Sequence, residues 1–295
     1  MTTDLFEKKR IAPMLIGASS EPFDSPDHIY ELKLDGIRCV AYLDSNGTEL
    51  RNKRNFALLP RFPELADLHH GVTGRCILDG ELIVTVEGKP KFHEVQRRSI
   101  IADPFKIRIA SVQCPATFVA FDILYAHDND VTKLPLMERK SLLSQYAKDT
   151  ELLSVTRYIE QSGIAFYRIV EARELEGIVA KRNDSLYYFG KRTTEWKKIK
   201  YLLDDDFVVL GYIRKENHMN SIILGKYKDG QLIYKGHVTL GVSGPDFVRI
   251  RAGKKLSFPT LPVPRGNETA TWVVPELVCT CLLYTSPSPR DPKTS

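Results

Sequence analysis

The chain has 295 residues, 43% of them hydrophobic and 27% charged, a globular balance that excludes wholesale disorder and on length alone points to about two domains. No apolar run approaches the roughly 20 residues of a membrane helix, and the N-terminal Met1-Thr2-Thr3-Asp4-Leu5-Phe6 lacks the apolar core of a secretory signal. Net charge is +5, which permits a polyanionic partner if clustered. Five scattered cysteines (Cys39, Cys76, Cys114, Cys279, Cys281) without a Cys-x-x-Cys pair argue against a zinc ribbon or disulfide framework and for a reducing compartment.

Residues 1–30 read as loop, rich in turn formers. Strands are predicted at 29–34 and 38–43 with Asp35-Gly36 as the turn between them, then at 49–53 after Ser45-Asn46-Gly47. Phe62, Leu65 and Leu68 predict a short helix over 61–69. Residues 76–86 read as two strand halves broken at Asp79-Gly80, and 117–125 as an apolar strand. Helices are predicted at 136–148 and 163–173, and buried strands at 177–181 and 194–200. After Asp204-Asp205-Asp206 the chain changes to short alternating segments, 207–213, 220–227, 231–238 and 247–250. Their spacing predicts a small β-barrel of oligonucleotide-binding type, with the linker at 201–205.

Five stretches bear chemistry. Lys33-Leu34-Asp35-Gly36 places a lysine at the end of an apolar strand. It is either a hairpin with a solvated charge or a nucleophile, which needs neighbouring cations or burial to lose its proton. Asp79-Gly80-Glu81 puts acids among apolar residues, where they face water or bind a metal, a sugar hydroxyl or a partner. Phe121, before Asp122, is a core aromatic or a platform for a base. Glu176-Gly177 before a β-branched run offers a magnesium carboxylate. Residues 191–200 hold five cations in ten, and Lys198 and Lys200 share one strand face. They form a solvated edge or a phosphate clamp.

In this order the stretches resemble the five successive motifs of the covalent nucleotidyltransferases: DNA ligases, RNA ligases and messenger-RNA capping enzymes. Pro13-Met14-Leu15 and Leu134-Pro135-Leu136 with Glu138-Arg139-Lys140 bring the resemblance closest to ATP-dependent DNA ligases of the bacterial and archaeal non-homologous end-joining type. The fold implied is α+β: a nucleotidyltransferase domain of antiparallel sheets with helices (residues 1–202), then an oligonucleotide-binding barrel (203–280) that is incomplete. The resemblance implies that Lys33 attacks the α-phosphate of ATP and becomes a lysyl-adenylate. Glu31 reads the adenine amino group and Phe121 stacks on the base. Arg38 contacts nucleotide and nick, and Arg54 touches nucleotide or the DNA 5′-phosphate, although Lys53 and Phe56 replace the serine and glycine usual around it. Glu81 binds ribose or metal, Glu176 holds Mg2+ (or Mn2+), and Lys198 and Lys200 grip the α-phosphate, their charge favouring a neutral Lys33. Lys191 and Arg192 join Arg38 and Arg54 in gripping DNA.

The implied partners are nicked double-stranded DNA and a Ku-like end-binding protein. The implied setting is cytoplasmic, with no membrane and a monomeric chain. Residues 281–295 read as a non-native tail left by cloning or assembly. The family's last motif, an arginine and a lysine, finds no counterpart after Cys279, which predicts weak self-adenylation. An RNA ligase, a GTP-using capping enzyme and a catalytically impaired nick-binding protein are the alternatives.

Overall fold

The computed structural model describes residues 4–201, 203–214, 220–228, 230–238, 244–259, 261–263 and 266–283. The chain forms two compact units, Met1–Tyr201 and Leu202–Ser295.

The first unit is built on two sheets. One runs Leu15–Ser19, Arg192–Lys200, Gly177–Arg182, Ser25–Leu32 and Tyr158–Gln161, antiparallel except for its first pair. The other runs Gly47–Asn52, Ile37–Asp44, Cys76–Val86, Ala116–Ala126 and Asn129–Asp130, all antiparallel, with Leu153–Val155 parallel beside Ala116–Ala126. Strand alternation sorts their side chains. Cys39, Ala41 and Leu43 pack outward with Leu65, Leu68 and Leu143. Val40 and Tyr42 join Ile29, Phe121 and Trp196 in a cluster shared by both sheets. Tyr30, Ile178, Ala180 and Ile199 pack away from it, against Val170 of the helix Gly163–Ala172. Charged residues in register with Ile29 and Trp196 therefore face the space between the sheets.

The Asp35-Gly36 step is not a hairpin. The strands on either side of it, Ser25–Leu32 and Ile37–Asp44, belong to different sheets, so the chain crosses from one to the other directly after Lys33. Residues 1–30 are not loop: the helix Leu5–Lys8 and the strand Leu15–Ser19 precede Ser25–Leu32, the strand being stabilised by remote pairing with Arg192–Lys200. The short helix is a 3₁₀ helix, Pro63–Gly71; Phe62, Leu65 and Leu68 are three apart, the spacing that three residues per turn keeps on one edge. Cys76–Val86 is one strand, whose register against Ala116–Ala126 shifts between Asp79 and Gly80. A Cβ on Gly80 would sit 2.5 Å from the Val119 carbonyl oxygen, so only glycine fits the irregularity. The helices Phe92–Ile100 and Pro104–Gln113 have no counterpart in the sequence reading.

In the second unit, Gln231–Val238, Asn220–Lys228, Leu203–Arg214 and Thr271–Trp272 form one antiparallel sheet, and Val278–Leu283 also pairs with Leu203–Arg214. Residues 247–250 are helical, within Gly244–Ala252, because Phe247 and Ile250 turn together onto the sheet: Ile250 enters the core and Phe247 meets Tyr212 edge-on at 5.5 Å. The last strand continues through residues 281–283. The rest of the proposed non-native tail, 284–295, lies outside the described residues. Among the described residues no helix is long and apolar enough to cross a membrane.

One buried ion pair ties the second sheet to the helix Leu136–Tyr146. Arg139 donates Nε and Nη2 to Asp122 at 2.9 Å each, and Nη1 to the carbonyls of Leu134 (2.6 Å) and Ser185 (2.9 Å). Both side chains are 0% exposed. Removing one partner strands the other charge in an apolar interior. Arg139→Met is expected to lower stability by about 3–5 kcal/mol in chemical denaturation; a loss below about 1 kcal/mol would show that the pair does not anchor the fold.

Candidate active site

Lys33 follows the strand Ser25–Leu32, its backbone N–H donating to the Gly177 carbonyl at 2.9 Å. Gly177 has φ +136°, and a Cβ there would lie 2.2 Å from the Ile199 carbonyl oxygen, so the contact that seats Lys33 requires glycine. The adjacent Glu176 carboxylate meets Lys33 Nζ at 2.7 Å, and Lys200 Nζ lies 3.5 Å from the same oxygen. Burial pushes the Glu176 carboxyl up, against the pull of Lys33 and Lys200. Its Oε2 is buried, with no hydrogen-bond partner among the described residues. The cations read from sequence do converge here, but Lys33 also has a carboxylate in direct contact, which the sequence reading did not foresee. Lys198 stands opposite Val179, in register with Trp196 and Lys200 on the inter-sheet face.

Behind Lys33 lies a cavity of about 110 Å³ lined by Glu31, Arg38, Glu81, Phe121, Lys181 and Trp196, among others. Glu31 is 2% exposed. It binds Lys181 Nζ at 2.6 Å through Oε2, and Lys140 Nζ and the Thr156 hydroxyl (3.2 Å) through Oε1. Burial would raise the Glu31 carboxyl, but Lys140 and Lys181 hold it below the usual range. Burial pushes Lys181 down to about 8 despite Glu31, and its ammonium sits 4.5 Å from the Phe121 ring centre and 4.1 Å from that of Trp196.

Arg38 turns toward Asp79, with both bonds at 2.6 Å, and its guanidinium lies 4.4 Å from the Phe121 ring centre. Asp79 is fully buried and also accepts from the Tyr187 hydroxyl at 2.5 Å, so protein donors reach both of its oxygens. Phe121 thus serves in the core and in the cavity wall at once. Glu81 stands across the strand pair from Arg38. Burial pushes its carboxyl up to about 7, with Arg38 and Lys33 opposing.

A larger groove of about 880 Å³ opens beside this cavity, sharing Arg38 and Glu81 with it and adding Lys53, Arg54, Arg61 and the exposed Phe56. Lys191 and Arg192 line neither space: Lys191 lies 5.9 Å from the Tyr188 ring centre, and Arg192 is tied to the Ile16 carbonyl at 2.7 Å. Lys140, Thr156 and Tyr187 carry no sequence signal of a role at this site. Lys140 was visible only as part of Glu138-Arg139-Lys140, and nothing local marks Thr156 or Tyr187.

A family model described as ATP dependent DNA ligase domain matches residues 13–200. The chain is 33% identical over 235 residues to DNA ligase C1 of Mycolicibacterium smegmatis, covering 77% of this chain and 67% of that protein. It is 27% identical over 285 residues to the multifunctional non-homologous end joining protein LigD of Pseudomonas aeruginosa, covering 91% of this chain but 33% of that one. A solved structure of mycobacterial DNA ligase D complexed with ATP and MES shares the fold, with a TM-score of 0.58 and 23% identity over 92% of this chain and 88% of that one.

The elevated Glu81 carboxyl has a measurable consequence. Its folded-state value lies above the ordinary 4.5, so the stability it contributes is full below pH 4.5 and is lost as pH rises through 7. Relative to the parent chain, Glu81→Gln is expected to gain stability as pH rises from 4.5 through 7, reaching on the order of 1–2 kcal/mol at about pH 8 given solvent access to this half-buried side chain. Denaturation midpoints that run parallel across pH 4–8 would contradict the shift.

Proposed function

The chain belongs to the ATP-dependent DNA ligase family, and from that premise we propose that it seals 5′-phosphate/3′-hydroxyl nicks in duplex DNA during repair and end joining, with Lys33 as nucleophile. The observation that carries this reading is the convergence of a carboxylate and a second cation, Glu176 and Lys200, on the amine of Lys33, which itself lines a cavity walled by Glu31, Phe121 and Trp196.

An ammonium cannot attack, so Lys33 must first give up a proton; Glu176 Oε1, 2.7 Å away with its carboxyl raised by burial, is the acceptor in reach. The Lys33 amine then forms a bond to the α-phosphorus of ATP while the bond to pyrophosphate breaks. A 5′-phosphate oxygen at the nick next displaces Lys33 from the adenylate. Finally the 3′-hydroxyl attacks that 5′-phosphate, and AMP leaves. Lys198 and Lys200 balance the phosphate charge. The adenine enters the small cavity, its amino group toward Glu31 and its ring toward Phe121, both of which line it.

Mg2+ or Mn2+ suits the acids present. Among the described residues no three acids, histidines or cysteines are grouped to hold a metal unaided, but magnesium takes one or two carboxylates with phosphate oxygens. Glu176, whose buried Oε2 has no partner among the described residues, and Glu81 would hold such a cation. The bound cation would neutralise phosphate charge. Arg38 and Arg54 in the basic groove would face the DNA, with Lys191 and Arg192 contacting the duplex farther out. A monomeric chain acting in the cytoplasm at the nucleoid, with a Ku-like end-binding partner, completes the proposal. The RNA-ligase and capping alternatives are set aside, because the family model and the relatives named above are DNA ligases.

Incubation with α-labelled ATP and magnesium is expected to leave acid-labile AMP on the peptide containing Lys33, and none on Lys33→Ala. Label on another residue, or nick binding by a folded chain that never acquires AMP, would overturn the assignment.

A further inference from the structure

The hydrogen bonds around Glu31 set up a selectivity device. An ionised carboxylate has about four acceptor sites, two per oxygen. On Glu31, Oε1 accepts from Lys140 Nζ and from the Thr156 hydroxyl, and Oε2 accepts from Lys181 Nζ at 2.6 Å. Among the described residues three sites are filled, and the open one is on Oε2. Lys140 Nζ also donates to the Thr156 hydroxyl at 3.2 Å, closing a triangle around Oε1. The triangle draws on three parts of the chain: Lys140 from the helix Leu136–Tyr146, Thr156 from the segment after Leu153–Val155, and Glu31 from the strand Ser25–Leu32. Glu31 and Lys181 line the small cavity, whereas Lys140 and Thr156 do not.

The two ammoniums differ in what they can do. Lys181 holds the same oxygen that has the spare acceptor site, so alone it would let the carboxylate pivot about that contact. Lys140, with Thr156, pins the other oxygen and prevents the pivot. Both lysines are almost wholly buried, so water does not substitute for either bond. A single carboxylate held by two buried cations stays an acceptor and has no proton to donate.

We propose that Lys140 is a positioning residue for purine selection: it fixes Glu31 so that the open site on Oε2 accepts a hydrogen bond from the 6-amino group of adenine and repels the 6-oxygen of guanine or hypoxanthine. Lys140 does this without touching the nucleotide. The inference rests on the reading of Glu31 as the group facing the base. Sites built to hydrogen-bond a substrate group discriminate strongly against analogues that lack it, because their buried polar atoms are left unpaired.

The test is calorimetric binding of ATP and of inosine triphosphate, which carries oxygen at position 6, to the full chain and four variants. The parent chain is expected to prefer ATP. Lys140→Met and Thr156→Val should each shrink that preference, Lys140→Met by about tenfold or more, chiefly by weakening ATP while inosine triphosphate binding holds. Lys140→Arg should retain most of it. A merely structural role for Lys140 would weaken both nucleotides together and leave the ratio alone. If Lys140→Met does not fold, Thr156→Val bears the test. An unchanged ratio in the folded variants overturns the role of Lys140. The underlying reading is separated by Glu31→Gln: if that variant keeps the parent ratio, or the parent chain has no preference, Glu31 does not read the base. If Glu31→Gln loses the preference while Lys140→Met and Thr156→Val keep it, only the positioning role falls.

Discussion

Buried charge compensation between the two sheets is the constraint on which the first unit depends. Five carboxylates face or flank that space. Four are answered by cations: Glu31 by Lys140 and Lys181, Asp79 by Arg38, Asp122 by Arg139, Glu176 by Lys33 and Lys200; the fifth, Glu81, stands across the strand pair from Arg38. An unpaired charge in such surroundings costs several kcal/mol. The pairs differ in how fully they are closed. Asp122 is enclosed by a bidentate arginine and has a structural part only. Among the described residues Glu31 keeps one acceptor site open and Glu176 keeps one oxygen without a partner; Glu31 lines the cavity and Glu176 meets Lys33. The proposed chemistry sits where compensation is incomplete.

The geometry that brings these groups together comes from two simple features. Alternation along Gly177–Arg182 and Arg192–Lys200 sends Lys181, Trp196, Lys198 and Lys200 to one side and Ile178, Ala180 and Ile199 to the other. The crossing from one sheet to the other at Asp35-Gly36 then places Lys33 at the boundary, with Arg38 and Glu81 arriving from the second sheet. A hairpin there would have left Lys33 on a solvated tip.

Much of this was legible in the sequence. Lys33, Glu81, Phe121, Glu176 and Lys200 stand in short motifs whose order identifies them, and the structure gathers them at one cavity or in direct contact. What escaped was tertiary. Lys140 and Thr156 meet Glu31 across 109 and 125 residues, and no local pattern records that. Asp35-Gly36 has the same turn chemistry whether the next strand pairs with the last or leaves for another sheet. The helix Pro104–Gln113 has a legible start, Asp103 capping with Pro104 at the first turn. Its apolar residues lie on several sides, with Ile107 and Ala110 buried but Phe105 and Val112 exposed, so no single face announced it. Residues 247–250 could pass for a strand until the contact of Phe247 with Tyr212 is known.

The most direct measurement is a structure of the chain with an ATP analogue whose α,β-bridge is methylene and cannot be cleaved. The base should occupy the small cavity with its amino group at Glu31 Oε2 and its ring on Phe121, and the α-phosphorus should lie within reach of Lys33 Nζ, with Lys198 and Lys200 on its oxygens. A base lodged instead in the wide groove beside Arg54 and Phe56, with Glu176 still closed on Lys33, would contradict it.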